Sequence, residues 1–400
     1  MDFRTRALEA LQETIDRRRA LHSIAETGLF LPKTTEYIIS ELTKLGIPYK
    51  RLETCDGIIG IIDTGKAGKT VALRADTDAL PITEETGCDY ACKTGNMHAC
   101  GHDAHTAMLL TAAKLLLEAK DKMSGKIKLI FQPAEELCSG AFAMAAEGAL
   151  DYERADAVFA QHVGWLYDAP AGTVCIKRGA MMSAQNMIKI TVHGKGSHGA
   201  EPQNGIDPIV TVSNLILSLQ TIISREISPF DNAVFSVCSV HAGSSYNIVP
   251  PDTVIQATLR TYSRQTQKFL LERIKTVAEF VCRAHRAECE IEIINDLPAT
   301  YNNPDAADFI CDLIKRLYGE DSLVIMSEPS MVSEDVCVFL DDAPGAFWLL
   351  STRPEEGAYK NHNPKFNLEE SVLHKGCTIM AQAAFEYLTG HKEPESPESL

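Results

Sequence analysis

Hydrophobic positions in the first part of the chain follow two different spacings. Residues 5–20, 33–45, 104–120 and 140–150 repeat apolar side chains at helical intervals. Between them lie short apolar runs bounded by glycine and polar turns, at 57–63, 70–75, 127–132 and 157–162. Strands that alternate with helices in this way are typical of an α/β sheet covered on both faces.

The pattern changes after residue 185. Strand-like runs and two amphipathic helices follow one another in the order βαββαβ over 186–296, which is typical of a ferredoxin-like unit. Afterwards the first type of pattern returns, with another buried strand in 341–352. We therefore predict an α/β domain built from 1–185 and 297–390, an inserted domain at 186–296, and a disordered Pro- and Glu-rich tail at 391–400.

Composition and charge narrow the range of partners. The chain has 400 residues, of which 45% are hydrophobic, so it can bury a substantial core and is long enough for two domains. Its formal net charge of −16 argues against nucleic acid and against an anionic membrane surface. The longest basic cluster, Arg17 to Arg19, lies in an amphipathic pattern and is predicted to be a solvated helix face.

Nothing in the sequence predicts export. The first residues are charged throughout, and no later stretch reaches the roughly 18 uninterrupted apolar residues that a membrane span needs. The twelve cysteines are scattered singly, which favours free thiols over a disulfide framework. We expect a cytoplasmic protein in which most cysteines, such as Cys238, Cys282 and Cys311, are small buried hydrophobic residues.

Polar side chains follow the apolar runs. Asp76 and Asp78 come after 70–75, the pair Glu135 and Glu136 after 127–132, and His162 closes 157–162. His362 lies about a dozen residues beyond the strand in 341–352. Ligands of open α/β sheets bind outside the carboxyl ends of the strands, so we expect these side chains to share one edge.

The stretch 97–108, MHACGHDAHTAM, belongs at the same edge because it starts a predicted helix. A structural zinc site would need four ligands, usually in Cys-x-x-Cys pairs, and none occurs here. A redox site could use Cys92 or Cys138 as partner of Cys100, but it gives no role to the two glutamates. A catalytic metal centre accounts for cysteine, histidine and carboxylate together, and such ligands suit Zn²⁺, Mn²⁺, Co²⁺ or Ni²⁺.

Two adjacent glutamates can divide the work of a hydrolase. One carboxylate binds a metal ion, while its neighbour removes a proton from the attacking water and then donates it to the leaving nitrogen. The site is therefore interpreted as hydrolytic.

Seven segments resemble one family. LRADTDALP, MHACGHDAHTAMLLTAAKLL, LIFQPAEE, GKGSHGAEPQNGIDPI, NIVPPDTV, SED and HNPKFNLEE are similar to metal-dependent amidohydrolases that include hippurate hydrolase, aminoacylases and auxin-conjugate hydrolases, relatives of carboxypeptidase G. The resemblance extends in order over nearly the whole chain. It implies a mixed-sheet metallopeptidase domain with an inserted ferredoxin-like lid that mediates homodimerisation.

The resemblance also assigns roles to residues of this sequence. It implies two divalent metal ions per subunit, a general base at Glu135, and Cys100 as our candidate for the bridging ligand. His198 would stabilise the oxyanion in a neighbouring active site, while Asn247 and Arg260 would bind the substrate carboxylate. Asp76, Asp78 and Asp103 would orient ligands, although a helix cap is the favoured role for Asp103. The metal ligands it implies are Cys100, His102, Glu136, His162 and His362.

The sequence thus predicts hydrolysis of the amide of an N-acyl amino acid. A dipeptidase is a close alternative, because a dipeptide is an N-acyl amino acid with an added amine. Two alternatives from other classes are a non-catalytic metal- or ligand-binding protein and a regulatory domain held together by zinc.

Overall fold

The computed structural model of the chain describes residues 1–390, so the predicted tail at 391–400 lies outside the described residues. The chain forms two units. Unit 1 holds residues 1–181, 301–329 and those from 335 onward, and unit 2 holds 182–300 and 330–334.

Helices and strands follow one another along most of the described chain. The α-helices are α1 Phe3–Glu9, α2 Leu11–Ser23, α3 Pro32–Lys44, α4 His102–Glu118, α5 Gly140–Ala146, α6 Pro208–Glu226, α7 Arg264–Ala284, α8 Pro304–Tyr318, α9 Cys337–Asp342 and α10 Leu373–Thr389. The strands are β1 Tyr49–Arg51, β2 Ile58–Asp63, β3 Thr70–Asp76, β4 Lys126–Gln132, β5 Ala157–Gly164, β6 Val174–Ile176, β7 Gly179–Met182, β8 Ala184–His193, β9 Ser197–His198, β10 Ala233–Ala242, β11 Ile248–Val249, β12 Asp252–Thr261, β13 Glu288–Leu297, β14 Thr300–Asn302, β15 Leu323–Ile325 and β16 Gly345–Ser351.

Unit 1 is built on an eight-stranded mixed sheet of order β1-β2-β4-β3-β5-β16-β6-β15. Its centre is parallel, since β3 pairs in parallel with β4 and β5, and β16 pairs in parallel with β5. The carboxyl ends of these strands therefore lie at one edge of the sheet, which is where the sequence places its polar clusters.

Alternate residues of the central strands enter hydrophobic clusters on opposite faces. Ile58 and Ile62 belong to the cluster that includes much of α4 and α10, whereas Ile59 and Ile61 belong to a second cluster that contains Met144 of α5. Burial on both faces explains why these strands are continuous apolar runs rather than alternating ones.

Unit 2 contains a four-stranded antiparallel sheet of order β10-β12-β8-β13. Helices α6 and α7 pack their apolar residues, including Leu215 and Ile274, into a common cluster with this sheet. Strand β10 forms one edge of the sheet. A two-stranded pair of β9 and β11 places His198 opposite Ile248.

Three sequence predictions differ from the structure. The helix predicted at 5–20 is divided at Ala10, whose φ of −88° and ψ of 4° end α1. Arg17 and Arg18 are buried rather than solvated, because carboxylates from distant parts of the chain pair with them. Cys238 is exposed, since it lies where the register of β10 shifts between Val237 and Ser239.

Within residues 1–390, none of the helices combines the length and apolar character required to cross a bilayer.

Candidate metal centre

Polar side chains gather at the carboxyl ends of the parallel strands. Asp76 is the last residue of β3, and Asp78 lies two residues beyond it. Glu135 and Glu136 follow β4, and His162 lies near the end of β5.

The Cys-Gly-His segment reaches this edge through a left-handed turn. Gly101 has a φ of 90° and immediately precedes α4. A Cβ atom on Gly101 would lie 2.6 Å from Val163 Cγ2, so glycine is required for the turn to pack beside the end of β5. The turn places Cys100 and His102, both buried, on its two sides.

Cys100, His102 and His162 form one group of candidate ligands. Cys100 Sγ lies 3.3 Å from His162 Nε2. The imidazole rings of His102 and His162 have centroids 5.7 Å apart. The candidate ligand atoms of the three residues all lie within 4.8 Å of one another, so one cation could contact all three.

A second group of candidate ligands consists of Cys100, Glu136 and His362. Their candidate ligand atoms also all lie within 4.8 Å of one another. His362 Nε2 lies 3.3 Å from Cys100 Sγ and 3.5 Å from Glu136 Oε2. Cys100 belongs to both groups, so its sulfur is placed where it could bridge two cations. Glu135 approaches from the side of His102, with Oε2 3.8 Å from His102 Nε2.

Asp78 connects the glutamate pair to His102. Its two carboxylate oxygens accept hydrogen bonds from the backbone N–H groups of Glu135 and Glu136, at 3.0 and 3.1 Å. His102 Nδ1 lies 2.9 Å from the Asp78 carbonyl oxygen, which suits donation from Nδ1 and leaves Nε2 to face the cluster.

Asp76 and His105 link the cluster to the end of β5. Asp76 pairs with His105 Nδ1, and His105 Nε2 accepts a hydrogen bond of 2.8 Å from the Val163 N–H. Asp76 also pairs with Arg74 at 2.9 Å. Burial alone would raise the pKa of Asp76, but His102, His105 and Arg74 hold it well below its usual range.

Asp103 is not a helix cap, so that prediction is wrong. The residue before α4 is Gly101, and Asp103 lies within the first turn. Its Oδ2 accepts from Arg18 Nε at 2.8 Å and lies 2.7 Å from His22 Nδ1, because both side chains are buried against it. Burial would raise the pKa of Asp103, but Arg18 and His22 hold it well below its usual range.

Burial opposes charge on several candidate ligands. It raises the pKa of the Cys100 thiol to about 12, with a further contribution from the Glu136 carboxylate. It also raises the pKa of Glu136 to about 7, against the opposing effect of His102. Burial lowers the pKa of His162 well below its usual value. A divalent cation would reverse this balance for the thiol and the carboxyl group, because it favours their deprotonated forms.

Two polar atoms in the cluster show that a cation fits. His102 Nε2 and Glu136 Oε1 are buried and have no hydrogen-bond partner among the described residues. Buried polar atoms are normally paired, so both atoms lack an interaction that a metal ion would supply. Thiolate, imidazole and carboxylate ligands are together suited to Zn²⁺ and neighbouring divalent ions.

The remaining predicted site residues lie in unit 2. His198 is exposed in β9, and its Nδ1 accepts a hydrogen bond of 3.1 Å from the Ala200 N–H. Asn247 accepts from the Gly199 N–H through its backbone oxygen at 2.7 Å, so it lies beside the His198 segment. The Arg260 guanidinium donates to the Ser333 hydroxyl.

Sequence reasoning missed two residues of this region. The sequence predicts a solvated Arg18, whereas the side chain is completely buried against Asp103. The sequence predicts no role for Asn361 beside His362, whereas its side-chain amide contacts the Cys100 and Val163 carbonyl groups. Neither residue has a local sequence signal, because the partners of both are far away along the chain.

Comparison with known proteins identifies the family. Residues 72–386 match peptidase family M20/M25/M40. The chain belongs to this family. The predicted resemblance is thereby confirmed, and the chain is a hydrolase of the M20 group.

Relatives of known name cover nearly the whole chain. IAA-amino acid hydrolase ILR1-like 2 of Arabidopsis thaliana is 38% identical over 93% of this chain and 84% of its own length. Thermostable carboxypeptidase 1 of Saccharolobus solfataricus is 36% identical over 92% and 94%. N-acetyl-L-cysteine deacetylase of Bacillus subtilis is 36% identical over 96% and 90%.

Solved structures of the M20 type have the same mixed α/β fold. A protein from methicillin-resistant Staphylococcus aureus aligns with a TM-score of 0.89 at 33% identity, over 96% of this chain and 99% of its own. The Bacillus subtilis YXEP protein, a dinuclear metal binding peptidase, aligns with a TM-score of 0.80 at 31% identity, over 95% and 99%.

Proposed function

We propose that this M20 protein cleaves the amide bond of N-acyl amino acids, releasing a carboxylate and a free amino acid. The observation that carries the proposal is the meeting of five candidate metal-ligand side chains at one sheet edge, with the Glu135 carboxylate 3.8 Å from His102. The named relatives support the substrate class, since they act on amino acid conjugates, an N-acetyl amino acid or peptides.

The two ligand groups would hold two divalent cations, Zn²⁺, Mn²⁺, Co²⁺ or Ni²⁺, with Cys100 shared between them. Such ions supply Lewis acidity, which polarises an amide carbonyl and makes water a stronger nucleophile. Asp76 and Asp78 would orient the ligands. Asp103 would support the same edge through Arg18 and His22.

Glu135 would act as the general base. It would accept a proton from the attacking water and then donate it to the leaving nitrogen, a step that an amine leaving group requires. Its backbone N–H is held by Asp78 at 3.0 Å, which fixes the start of its side chain beside His102. The side chain is nearly buried, with 8% of its area exposed, so the carboxylate is shielded from bulk water.

Unit 2 would serve as a ferredoxin-like lid that binds the substrate. Arg260 and Asn247 would bind the carboxylate of the amino acid. His198 of the partner subunit would stabilise the oxyanion: because Nδ1 accepts from Ala200, the ring hydrogen lies on Nε2, where it can be donated.

A homodimer through this lid is supported by its exposed edge. Strand β10 is ten residues long and leaves Val234 and Val240 more than two-fifths exposed, at 41% and 46%. Leu217 of α6 is 68% exposed. Long apolar edge strands pair readily with another chain, and a second copy would cover this one. Sedimentation of the purified protein should show a dimer, and replacing Val240 with lysine should produce monomers.

The direct test is hydrolysis by purified protein with added Mn²⁺ or Zn²⁺. The panel contains hippurate, N-acetyl-methionine, N-acetyl-cysteine, long-chain and aromatic N-acyl amino acids, and dipeptides. Glu135→Gln should lower the rate by about 10²- to 10⁴-fold, whereas Glu356→Gln, at an exposed carboxylate, should not change it. Preference for dipeptides would favour the dipeptidase alternative. Bound metal without any turnover would favour a binding protein.

A further inference from the structure

Asn361, the residue before His362, lies in the loop between β16 and α10 and makes an unusual set of hydrogen bonds. Its Nδ2 donates to the Cys100 carbonyl oxygen at 3.1 Å and to the Val163 carbonyl oxygen at 3.2 Å. Its Oδ1 accepts from the Trp165 N–H at 2.9 Å. One amide thus connects three backbone groups from two other segments of unit 1.

Both of those segments carry candidate metal ligands. Cys100 is itself shared by the two ligand groups, and Val163 directly follows His162. His162 Nδ1 lies 2.7 Å from the same Val163 carbonyl oxygen, which suits donation from Nδ1 and leaves Nε2 to face Cys100. The Asn361 amide therefore contacts the carbonyl group that sets the tautomer of His162.

The neighbouring backbone leaves space for this amide. Gly164 has a φ of 123°, and a Cβ atom there would lie 2.2 Å from Asn361 Oδ1. No side chain could be added without displacing the amide. The loop is also held on its other side, because the His362 N–H donates to the Ala99 carbonyl oxygen at 2.8 Å.

We propose that Asn361 is a positioning residue of the metal centre, which fixes Cys100, His162 and His362 relative to one another through their backbones and through a contact of 3.9 Å between its Nδ2 and Cys100 Sγ. The proposal rests on the dinuclear centre proposed above. An asparagine is suited to the role because it donates and accepts at once. Aspartate has the same shape and could keep the bond from the Trp165 N–H, but it would place one carboxylate oxygen, in the position of Nδ2, against two carbonyl oxygens.

The test compares Asn361→Asp with Asn363→Asp, a matched control in the same loop. Asn363 Oδ1 accepts from the Lys365 N–H at 2.9 Å, a bond that aspartate can keep. Metal-depleted full-length proteins are titrated with Co²⁺. Affinity is measured by competition with a chelator, and the near-ultraviolet thiolate-to-cobalt absorption reports the environment of Cys100.

The wild type and Asn363→Asp should bind two Co²⁺ ions alike. Asn361→Asp should bind Co²⁺ about 10- to 100-fold more weakly, with an altered absorption band and unchanged far-ultraviolet circular dichroism. If Asn361→Asp does not fold, Asn361→Ala is tested by the same criterion.

Unchanged affinity and an unchanged band in a folded Asn361 variant would overturn the positioning role. A drop in thermal stability alone, with normal cobalt binding, would also overturn it, because that result shows a purely structural residue. If the wild type itself fails to bind two ions, the proposed centre is wrong, and the positioning role is lost with it.

Discussion

Replacing Arg18 with methionine tests how far the buried charges near the centre stabilise unit 1. Arg18 is completely buried, and it donates to Asp103 at 2.8 Å, to the Tyr90 hydroxyl at 2.9 Å and to Glu370 at 3.0 Å. Methionine fills much of the same volume without the charge. Asp103 would then keep His22 as its remaining partner, at 2.7 Å.

The magnitude follows from this geometry. Removing one member of a buried ion pair costs about 3–5 kcal/mol, because the other charge stays buried. Since Asp103 keeps His22 and Glu370 keeps Arg19, we expect a loss near the lower end, about 3 kcal/mol. The matched control is Arg19→Met: Arg19 contacts the same Glu370 at 2.6 Å, but its side chain is 44% exposed. Exposed pairs contribute about 0–1 kcal/mol.

The assay is urea unfolding of metal-depleted protein, followed by tryptophan fluorescence. Both tryptophans of the chain, Trp165 and Trp348, lie in unit 1, so the signal reports that unit. The free energy of unfolding is obtained by linear extrapolation. If the two variants differ by less than about 1 kcal/mol, burial does not determine the strength of these pairs, and the reasoning is refuted.

Three further changes should have measurable effects. In Asp78→Asn, an amide donor replaces one of the two oxygens that accept from the backbone N–H groups of Glu135 and Glu136. The variant should therefore bind Co²⁺ about 10- to 100-fold more weakly than the wild type. Equal affinity in chelator competition would contradict this expectation. Chelation should abolish hydrolysis while circular dichroism shows a folded protein, and Mn²⁺ should restore activity; unfolding would instead support the zinc-held regulatory domain. Burial lowers the pKa of Lys128 to about 8. An unfolded lysine keeps its proton to about pH 10.4, so wild-type stability relative to Lys128→Met should rise between pH 8 and 10, as urea unfolding can show.

Prediction from the sequence succeeds where a local pattern decides the structure. Strands β3, β4 and β5 are buried on both faces, so apart from Arg74 and Lys128 their interiors are largely apolar, and the polar residues after them mark the strand ends. Because these strands are parallel, their ends share one edge, and this places Asp76, Glu135 and His162 in one region without further information.

Prediction fails where a partner distant in sequence changes the environment of a residue. Arg17 and Arg18 lie in a charged helix that looks solvated, yet Glu41 and Asp103 neutralise them within the core. Cys238 lies in an apolar strand, yet a register shift turns it outward. Neither outcome is present in the local spacing of polar and apolar residues, since each depends on the identity of the neighbouring segment.

The same distinction separates the candidate ligands of the proposed centre from the residues that contact their segments. Candidate ligand types are few and chemically distinctive, so Glu136 can be found from residue type and its place after a strand, and Cys100 and His102 from residue type and their place at the start of a helix. Supporting residues such as Asn361 act through backbone carbonyl groups, and every residue has a carbonyl group, so the sequence does not show which ones are contacted. The glycine at 164, whose missing Cβ leaves room for the amide, becomes interpretable only once that amide is located. The positions most useful for testing the geometry of the centre are therefore those whose contacts cannot be predicted from the sequence.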